Sequence, residues 1–332
     1  MTRARSALVD PATTPYYHCI GRCIRRAFLC GFDAVTGRDY GHRRQWFLDR
    51  LASLTRIFCI EVCAYAIMSN HYHLVLRLNA GKAKRLSDGD VLRRWQNLHH
   101  LPMLVQRIQK GEAVSGAETR RARELIQTRR ERLANLSWFM REFNEHLSRL
   151  ANAEDRCTGR FWEGRFKSQA LLDEQALFSC MVYVDLNPIR AGMAETPETS
   201  DYTSIQQRIQ GVHRASKLRL AEFVQRGAAA PDSGLPMDWP AYLELVDWTG
   251  RAIVPGKRGA IPSTLPKALQ RLEICPDAFL RQMQRTGFGT SDMVGSADGM
   301  REAARQSGRR HVHGIRKAEQ LFGTGKDPRD EI

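Results

Sequence analysis

The sequence contains no long hydrophobic run. No stretch of about 18 or more consecutive residues is apolar, which is the length that a membrane-spanning helix needs. The first 17 residues carry scattered arginines but lack the apolar core of a secretory signal peptide. These two absences predict a cytoplasmic protein with neither a membrane span nor a membrane partner.

Acidic residues are too few to balance the basic ones. The chain has 51 Lys and Arg against 36 Asp and Glu, a formal net charge of +15. An excess of this size attracts polyanions, most often nucleic acid and less often an anionic membrane surface. Because many basic proteins use their charge only for solubility, composition alone does not choose a partner.

The chain contains eight cysteines, and the sequence shows no export signal that would favour pairing them in disulfides. Without one, we expect free thiols in a reducing compartment. Cys19/Cys23 and Cys59/Cys63 are each four residues apart, a spacing that allows a zinc site. Both pairs lie in apolar, strand-like runs, where cysteine is usually a small buried hydrophobe. A zinc-stabilised interaction protein stays an alternative hypothesis.

The spacing of apolar residues predicts the order of secondary structure up to residue 200. We expect a strand at 15–25, a helix at 42–58, and two strands at 60–68 and 71–78 joined by a tight turn. Residues 79–134 are polar and arginine-rich and predict a helical insertion. Next come a helix capped by Ser137, a fourth strand at 160–172, and a helix that Asp173 caps and that contains Tyr183.

This order predicts an α+β fold, with one antiparallel sheet and helices on one of its faces. The main domain spans 15–200 and includes the insertion at 79–134. Residues 201–332 form a mostly helical C-terminal extension of unknown role, with linkers at 227–236 and 255–266. The glycine-rich, basic final 40 residues are expected to be a partly disordered tail.

Two histidines on the third predicted strand are candidate metal ligands. His71 and His73 are separated by one residue, so both imidazoles project from the same face, while Tyr72 faces the other way. That geometry suits two nitrogen ligands on one divalent ion. The alternative is a pair of histidines with a structural role. A second pair, His311 and His313, lies in the glycine- and arginine-rich tail and is taken as incidental.

A tyrosine and an asparagine are candidate partners of the histidine pair. Tyr183 and Asn187 are four residues apart and share one helix face. A phenol attacks phosphorus once its proton is removed and a metal neutralises the phosphate charge, and an asparagine one turn away can supply a third metal ligand. The alternative is a core tyrosine followed by a helix-end asparagine before Pro188.

Four segments in the right order closely resemble the HUH single-tyrosine transposases, nearest to the branch associated with REP palindromes. They are Tyr65–Val75, Tyr183–Gly192, the aromatic and basic stretch Gly159–Lys167, and the opening Tyr17–Ile20. The resemblance covers roughly residues 15–80 and 135–200. It implies a ferredoxin-like or RRM-like fold, with the histidines on a central strand and the tyrosine on a facing helix.

The resemblance also implies a reaction and a division of roles. His71, His73 and Asn187 match the ligands of a divalent metal, Mg²⁺ or Mn²⁺, and Tyr183 matches the nucleophile. The reaction is cleavage and rejoining of single-stranded or hairpin DNA through a 5′-phosphotyrosine, in a cytoplasmic protein associated with the nucleoid. The sequence leaves open whether the site forms in one chain or across a homodimer.

This chain departs from the family pattern in two ways. Tyr72 stands where the histidine motif normally has a bulky apolar residue, which places a second tyrosine near the predicted metal. We expect it to face away, because neighbouring residues alternate on a strand. The insertion and the C-terminal extension have no counterpart in the minimal family domain, so their roles are open.

Basic residues beside aromatic ones predict a DNA contact at 160–167. Arg160, Arg165 and Lys167 are expected to bind phosphates. The neighbouring aromatics Phe161, Trp162 and Phe166 offer stacking surfaces suited to unpaired bases. The alternative is that alternation on the predicted strand sends these aromatics to the opposite face, into the core. The arginine-rich insertion is a second candidate surface, although arginine runs usually form solvated faces. The remaining alternative is a non-catalytic nucleic-acid-binding protein that keeps the fold.

Overall fold

The computed structural model describes residues 9–24, 29–33, 37–211, 217–224, 234–253, 265–285, 288, 291–309 and 311–322. Within these ranges the strands are Tyr16–Arg22 (β1), Phe32–Asp33 (β2), Arg38–Asp39 (β3), Ile60–Ile67 (β4), His71–Leu78 (β5), Lys167–Leu171 (β6) and Met293–Val294 (β7).

The helices up to residue 190 are Arg43–Ile57 (α1), Ala80–Arg85 (α2), Asp88–Gln96 (α3), Met103–Gln109 (α4), Gly116–Leu133 (α5), Leu136–Glu154 (α6), Glu174–Asp185 (α7) and Asn187–Arg190 (α8). The later helices are Ser204–Ile209 (α9), Trp239–Ile253 (α10), Lys267–Arg271 (α11), Pro276–Met283 (α12), Ala297–Gln306 (α13) and Ile315–Phe322 (α14). None of the helices in the described ranges is long and apolar enough to cross a bilayer.

The main sheet has five strands in the order β4-β5-β1-β6-β7. The first four are antiparallel to their neighbours, and β7 pairs with β6 in parallel. Up to β6 the chain follows the strand–helix–strand–strand–helix–strand order of a ferredoxin-like fold, with β5 and β1 in the middle. The predicted α+β class is therefore confirmed.

Helices cover both faces of this sheet, which extends the prediction of helices on one face. Alternation along β5 sends Tyr72 towards α1 and α6, where its ring centroid lies 5.7 Å from that of Phe47 and 5.3 Å from that of Phe143. Tyr72 also lies across Gly21, where an added Cβ would be only 2.4 Å from the tyrosine Oη. Helices α1 and α6 form the predicted layer on one face of the sheet. Helix α7 packs on the opposite face.

Two local predictions are wrong. Asn135, not Ser137, caps α6, because the Asn135 side chain accepts a hydrogen bond from the Trp138 amide at 3.2 Å. The predicted fourth strand at 160–172 forms only over Lys167–Leu171. Before it, Gly159 has φ +107°, and in the described chain a single isolated bridge, Cys23–Trp162, connects this stretch to the sheet.

The insertion at 79–134 is helical, as predicted, and contains α2 to α5. Ser87 and Ser115 begin α3 and α5 with capping boxes that use Asp90 and Glu118. Several of its arginines bind neighbouring groups; Arg130, for instance, donates to Asp88 and to the carbonyl oxygen of Leu86. Part of the arginine charge is therefore engaged in ion pairs and hydrogen bonds within the insertion.

The C-terminal extension packs against both edges of the sheet. Ala66 of β4 forms a bridge with Thr203, and Val62 forms one with Leu220. On the other side β7 adds a strand to β6. These contacts cover sheet edges that would otherwise expose unpaired backbone groups.

Parts of the predicted linkers and tail lie outside the described residues. These parts are 227–233, 255–264, 310 and 323–332, and the disorder expected for the tail stays a prediction. Within the same final 40 residues the structure contains α13 and α14.

A buried carboxylate joins the extension to α7. Asp185 is fully buried and accepts hydrogen bonds from the Ser204 hydroxyl, from the Ile205 amide at 3.0 Å and from the Tyr242 hydroxyl at 2.6 Å. Burial raises the pKa of Asp185 to about 6, although these hydrogen bonds oppose the rise. The carboxyl group therefore takes up a proton more readily in the folded chain than in the unfolded one.

This raised pKa predicts a pH-dependent stability. Between about pH 4 and pH 6 the folded state holds a proton that the unfolded state releases, so this contribution to the unfolding free energy falls as pH rises, by up to about 3 kcal/mol. In Asp185→Asn the contribution is absent. Urea denaturation from pH 4 to 7 should show the stability difference between wild type and Asp185→Asn changing across this window. The exposed Asp247→Asn variant is the control, and a difference independent of pH would contradict the prediction.

Candidate functional site

The histidine pair lies on β5, an interior strand of the sheet. His71 is half-buried at the start of the strand and His73 is 4% exposed. The two ring centroids are 4.9 Å apart, and both rings lie on the face opposite Tyr72. The predicted projection of both imidazoles to one side is thus what the structure contains.

Hydrogen bonds orient both imidazoles. His71 Nδ1 lies 2.6 Å from Asn70 Oδ1, which only accepts, so His71 carries its proton on Nδ1 and leaves the Nε2 lone pair available. Asn187 Nδ2 lies 3.0 Å from His73 Nε2 and donates to it. In neutral His73 the proton is then on Nδ1, from which it is donated to His18 Nε2 at 2.9 Å. In metal sites such partners on the far ring nitrogen fix how a histidine ligates.

Tyr183 and Asn187 face the histidines from the other layer. Tyr183 lies near the end of α7, and its ring centroid is 5.8 Å from that of His73. Asn187 begins α8, one turn later, and contacts His73 directly. The chain therefore brings His71, His73, Tyr183 and Asn187 together without a second copy. Tyr72, on the opposite face, donates to Asn144 at 2.7 Å.

Two further residues lie in the same cluster and were missed from the sequence. His18 of β1 stacks on His73 with ring centroids 5.2 Å apart, and the Arg190 guanidinium carbon lies 4.6 Å from the Tyr183 ring centroid. His18 belonged to one of the segments that carried the family resemblance, but its role depends on the pairing of β1 with β5. Only the register, with Cys19 opposite Leu74 and Ile20 opposite His73, brings it beside the pair.

All three histidines are neutral at physiological pH. Burial lowers the pKa of His18 to about 4, and burial together with the charge of Arg22 lowers the pKa of His71 to about 4. The pKa of His73 lies well below its ordinary value, chiefly through burial and then through His18 and His71. Neutral imidazole is the form that ligates metals.

The donor set fits a divalent metal with two nitrogen ligands and one amide oxygen. Asn187 Nδ2 and His73 Nε2 are 3.0 Å apart, and adjacent ligands of an octahedral ion with 2.0–2.1 Å bonds are separated by about 2.9 Å. Turning the Asn187 amide over would present Oδ1 in place of Nδ2. Among the residues described, no group of three or more His, Cys, Asp or Glu side chains is arranged to hold a metal.

The predicted phosphate-binding residues lie on the surface. Arg160, Arg165 and Lys167 are all exposed, and within the described ranges no carboxylate is close enough to form an ion pair with any of them. Lys167 pairs with Ile20, and Ile20 pairs in turn with His73. These three basic residues therefore lie at the end of the sheet where β5 begins.

A residue of the C-terminal extension covers Tyr183. The Phe288 ring centroid lies 5.4 Å from that of Tyr183 and 6.1 Å from that of His18. Next to it, Arg190 donates a hydrogen bond to the Arg285 carbonyl oxygen. Tyr183 itself is 2% exposed.

No family model matches the chain, and no curated protein matches it. Among solved structures the chain is similar to a REP-associated tyrosine transposase bound to a REP hairpin. The identity is 10%, over 72% of this chain and all of that one, with a TM-score of 0.38. A likeness at this level does not assign a function to this chain.

Removing the Phe288 ring should expose Tyr183. We expect Phe288→Ala to be nitrated at Tyr183 by tetranitromethane several-fold faster than wild type, measured by peptide mass spectrometry. Phe223→Ala is the matched control, because Phe223 packs on Trp239 and Tyr242 elsewhere in the extension. Circular dichroism checks that both variants are folded. Equal nitration rates at Tyr183 in the two variants would show that Phe288 is not its cover.

Proposed function

We propose that this chain is a metal-dependent nuclease and strand-transferase of the transposase type, acting on single-stranded or hairpin DNA through Tyr183. The proposal rests on the contact between residues at the end of α7 and residues of β5. A phenol lies 5.8 Å, centroid to centroid, from a histidine whose Nε2 faces the amide of Asn187. A nucleophile next to three candidate metal ligands is the arrangement that phosphoryl transfer to tyrosine requires.

His71, His73 and Asn187 would hold the metal, Mg²⁺ or Mn²⁺. When bound, the metal acts as a Lewis acid on a phosphate oxygen and so makes the phosphorus more electrophilic. Asn70 and His18 accept the protons of the two Nδ1 atoms, which leaves each Nε2 directed away from those partners. The low pKa values of His71 and His73 keep both rings unprotonated for this role.

In the reaction, Tyr183 Oη attacks the phosphorus and the bond from phosphorus to the 3′ oxygen breaks. The products are a 5′-phosphotyrosine and a free 3′-hydroxyl. The proton that the phenol loses is matched by the one that the 3′ oxygen gains. Attack by a 3′-hydroxyl of another strand reverses these steps and releases Tyr183, so the number of phosphodiester bonds is conserved and no nucleotide is consumed.

The DNA would be held by charge around this site. The Arg190 guanidinium beside the Tyr183 ring attracts the phosphate to be attacked. Arg160, Arg165 and Lys167 would bind neighbouring phosphates without reading sequence. The candidate site is complete in one chain, so a homodimer is not needed to assemble it.

One observation favours the second candidate, a non-catalytic nucleic-acid-binding protein. Tyr183 is 2% exposed under Phe288, as expected for a core aromatic. In that case the basic surface binds DNA and the tyrosine only packs. Covalent trapping separates the two functions.

Tyr183→Phe should abolish the covalent adduct. Incubation of the wild type with labelled single-stranded palindromic DNA and Mn²⁺ is expected to give a protein–DNA species that survives denaturation. Loss of the hydroxyl should remove it entirely, since no other group takes over the attack. Tyr72→Phe is the matched control and should keep the adduct. An adduct in Tyr183→Phe would overturn the assignment, and none in wild type with any divalent metal would favour the second candidate.

His71→Ala and His73→Ala should each weaken Mn²⁺ binding strongly. Loss of one nitrogen ligand should cost more than the 10- to 100-fold that loss of a group supporting a ligand typically costs. Titration followed by electron paramagnetic resonance measures the affinity without any DNA. His311→Ala is the control, because it alters the second pair of alternating histidines, both exposed. Unchanged Mn²⁺ affinity in His73→Ala would rule out this metal site.

A further inference from the structure

A cavity of about 430 Å³ lies on the other face of the sheet, between α6 and the stretch that precedes β6. Its walls include the half-buried aromatic rings of Trp162 and Phe166, and its base includes Met140 and the backbone of Gly21. The size is within the range of small-molecule sites, which begins near 300 Å³. The histidine cluster is on the opposite face, so this is a separate site.

The cavity exists because residues 160–166 do not form a regular strand. The stretch is held by the Cys23–Trp162 bridge, in which the Glu163 amide donates to the Arg22 carbonyl and the Ile24 amide donates to the Phe161 carbonyl, each at 2.9 Å. Without strict alternation, Trp162 and Phe166 are not carried into the core. Gly164 also lines the cavity, and a Cβ added there would meet no atom within 4 Å, so a side chain can be added at its rim without a clash.

Trp162 is fixed in place and offers only its ring surface. Its indole N–H donates to the Asn144 carbonyl at 2.9 Å, and its ring stands edge-to-face against Tyr72 with centroids 5.5 Å apart. The hydrogen-bonding capacity of the indole is therefore used within the protein. What it presents to a ligand is an aromatic surface, which favours stacking by another planar ring.

Cations lie beside this aromatic wall. Arg165 lines the cavity, is exposed, and faces no carboxylate within ion-pair distance in the described part of the chain. Arg141 also lines it and is only loosely paired with Glu145, at 3.6 Å. A stacking surface flanked by guanidinium groups suits a planar base attached to a phosphate, the combination that proteins use for unpaired nucleotides.

The cavity is at the same end of the sheet as His71. Gly21, which lines it, pairs with Tyr72, and the next residue, Arg22, pairs with His71. One step along β5 thus leads from the cavity face to the histidine face. A single strand of DNA that crosses this end of the sheet contacts both sites.

We infer that this cavity binds one unpaired base of the DNA strand, stacked against Trp162 and Phe166, with Arg165 on the adjacent phosphate. The inference rests on the proposed function, in that single-stranded DNA is taken as the substrate. It adds a base-binding site on the face away from Tyr183. Sequence-tolerant stacking is expected, because every base has an aromatic face.

The test compares two probes that carry the same charge and differ only in their bases. One is a fluorescent oligothymidylate about 12 nucleotides long, and the other is its fully abasic counterpart. Binding is measured by fluorescence anisotropy with EDTA, so that no cleavage occurs. Gly164→Trp, which adds a bulky ring at the rim of the cavity without removing a native side chain, should weaken oligothymidylate binding about 10-fold and leave the abasic probe unchanged.

Arg165→Ala is the matched control and should weaken both probes alike, because it removes only a phosphate contact. Trp162→Leu repeats the test from inside the cavity and should match Gly164→Trp, with circular dichroism confirming the fold of each variant. The inference is overturned if the cavity variants weaken both probes equally or neither. It is also overturned if Gly164→Trp changes the oligomeric state, since that result would indicate that a second copy of the chain occupies the cavity in the wild type. Because the assay contains no metal, a chain that fails to form the Tyr183 adduct can still pass this test.

Discussion

The alternation of side chains along β5 is the constraint on which the rest of the structure depends. Because β5 is paired on both sides, its register cannot slip, and successive residues must face opposite layers. Tyr72 enters the packed layer of α1 and α6, while His71 and His73 are turned towards α7. A shift by one residue would bury the histidines among phenylalanines and place the tyrosine in the site. The register of this one strand thus determines both which side chains enter the core and which form the candidate site.

Local pattern was enough to predict the parts of the fold that are periodic. Apart from the two-residue strands β2 and β3, the strand–helix order up to β6 follows from apolar spacing, as do the helical insertion and, from capping residues, the Asp173 cap of α7. The extent of β6 did not follow, because an alternating aromatic and basic stretch looks like a strand whether or not a neighbouring strand is there to pair with it. Its partner β1 pairs regularly only as far as Lys167, which faces Ile20.

The candidate site was predictable only where its residues are close together in the chain. His71 with His73, and Tyr183 with Asn187, are short-range patterns. The resemblance to the HUH single-tyrosine transposases predicted that the two pairs form one site. His18 and Arg190 depend on strand register and on helix packing. Phe288 comes from more than one hundred residues beyond Tyr183, in a stretch without a recognisable period. Contacts of that range leave no signal in a single sequence.

The buried carboxylate of Asp185 has a consequence for how this chain can be divided. Its three hydrogen-bond donors, Ser204, Ile205 and Tyr242, all belong to the C-terminal extension. A fragment ending at residue 200 would leave Asp185 without any of them, two residues from both Tyr183 and Asn187. Such a fragment should be protease-sensitive around α7, since an unsatisfied carboxylate in an apolar interior opposes docking of the helix that carries it. The extension therefore stabilises the packing of the helix that carries Tyr183.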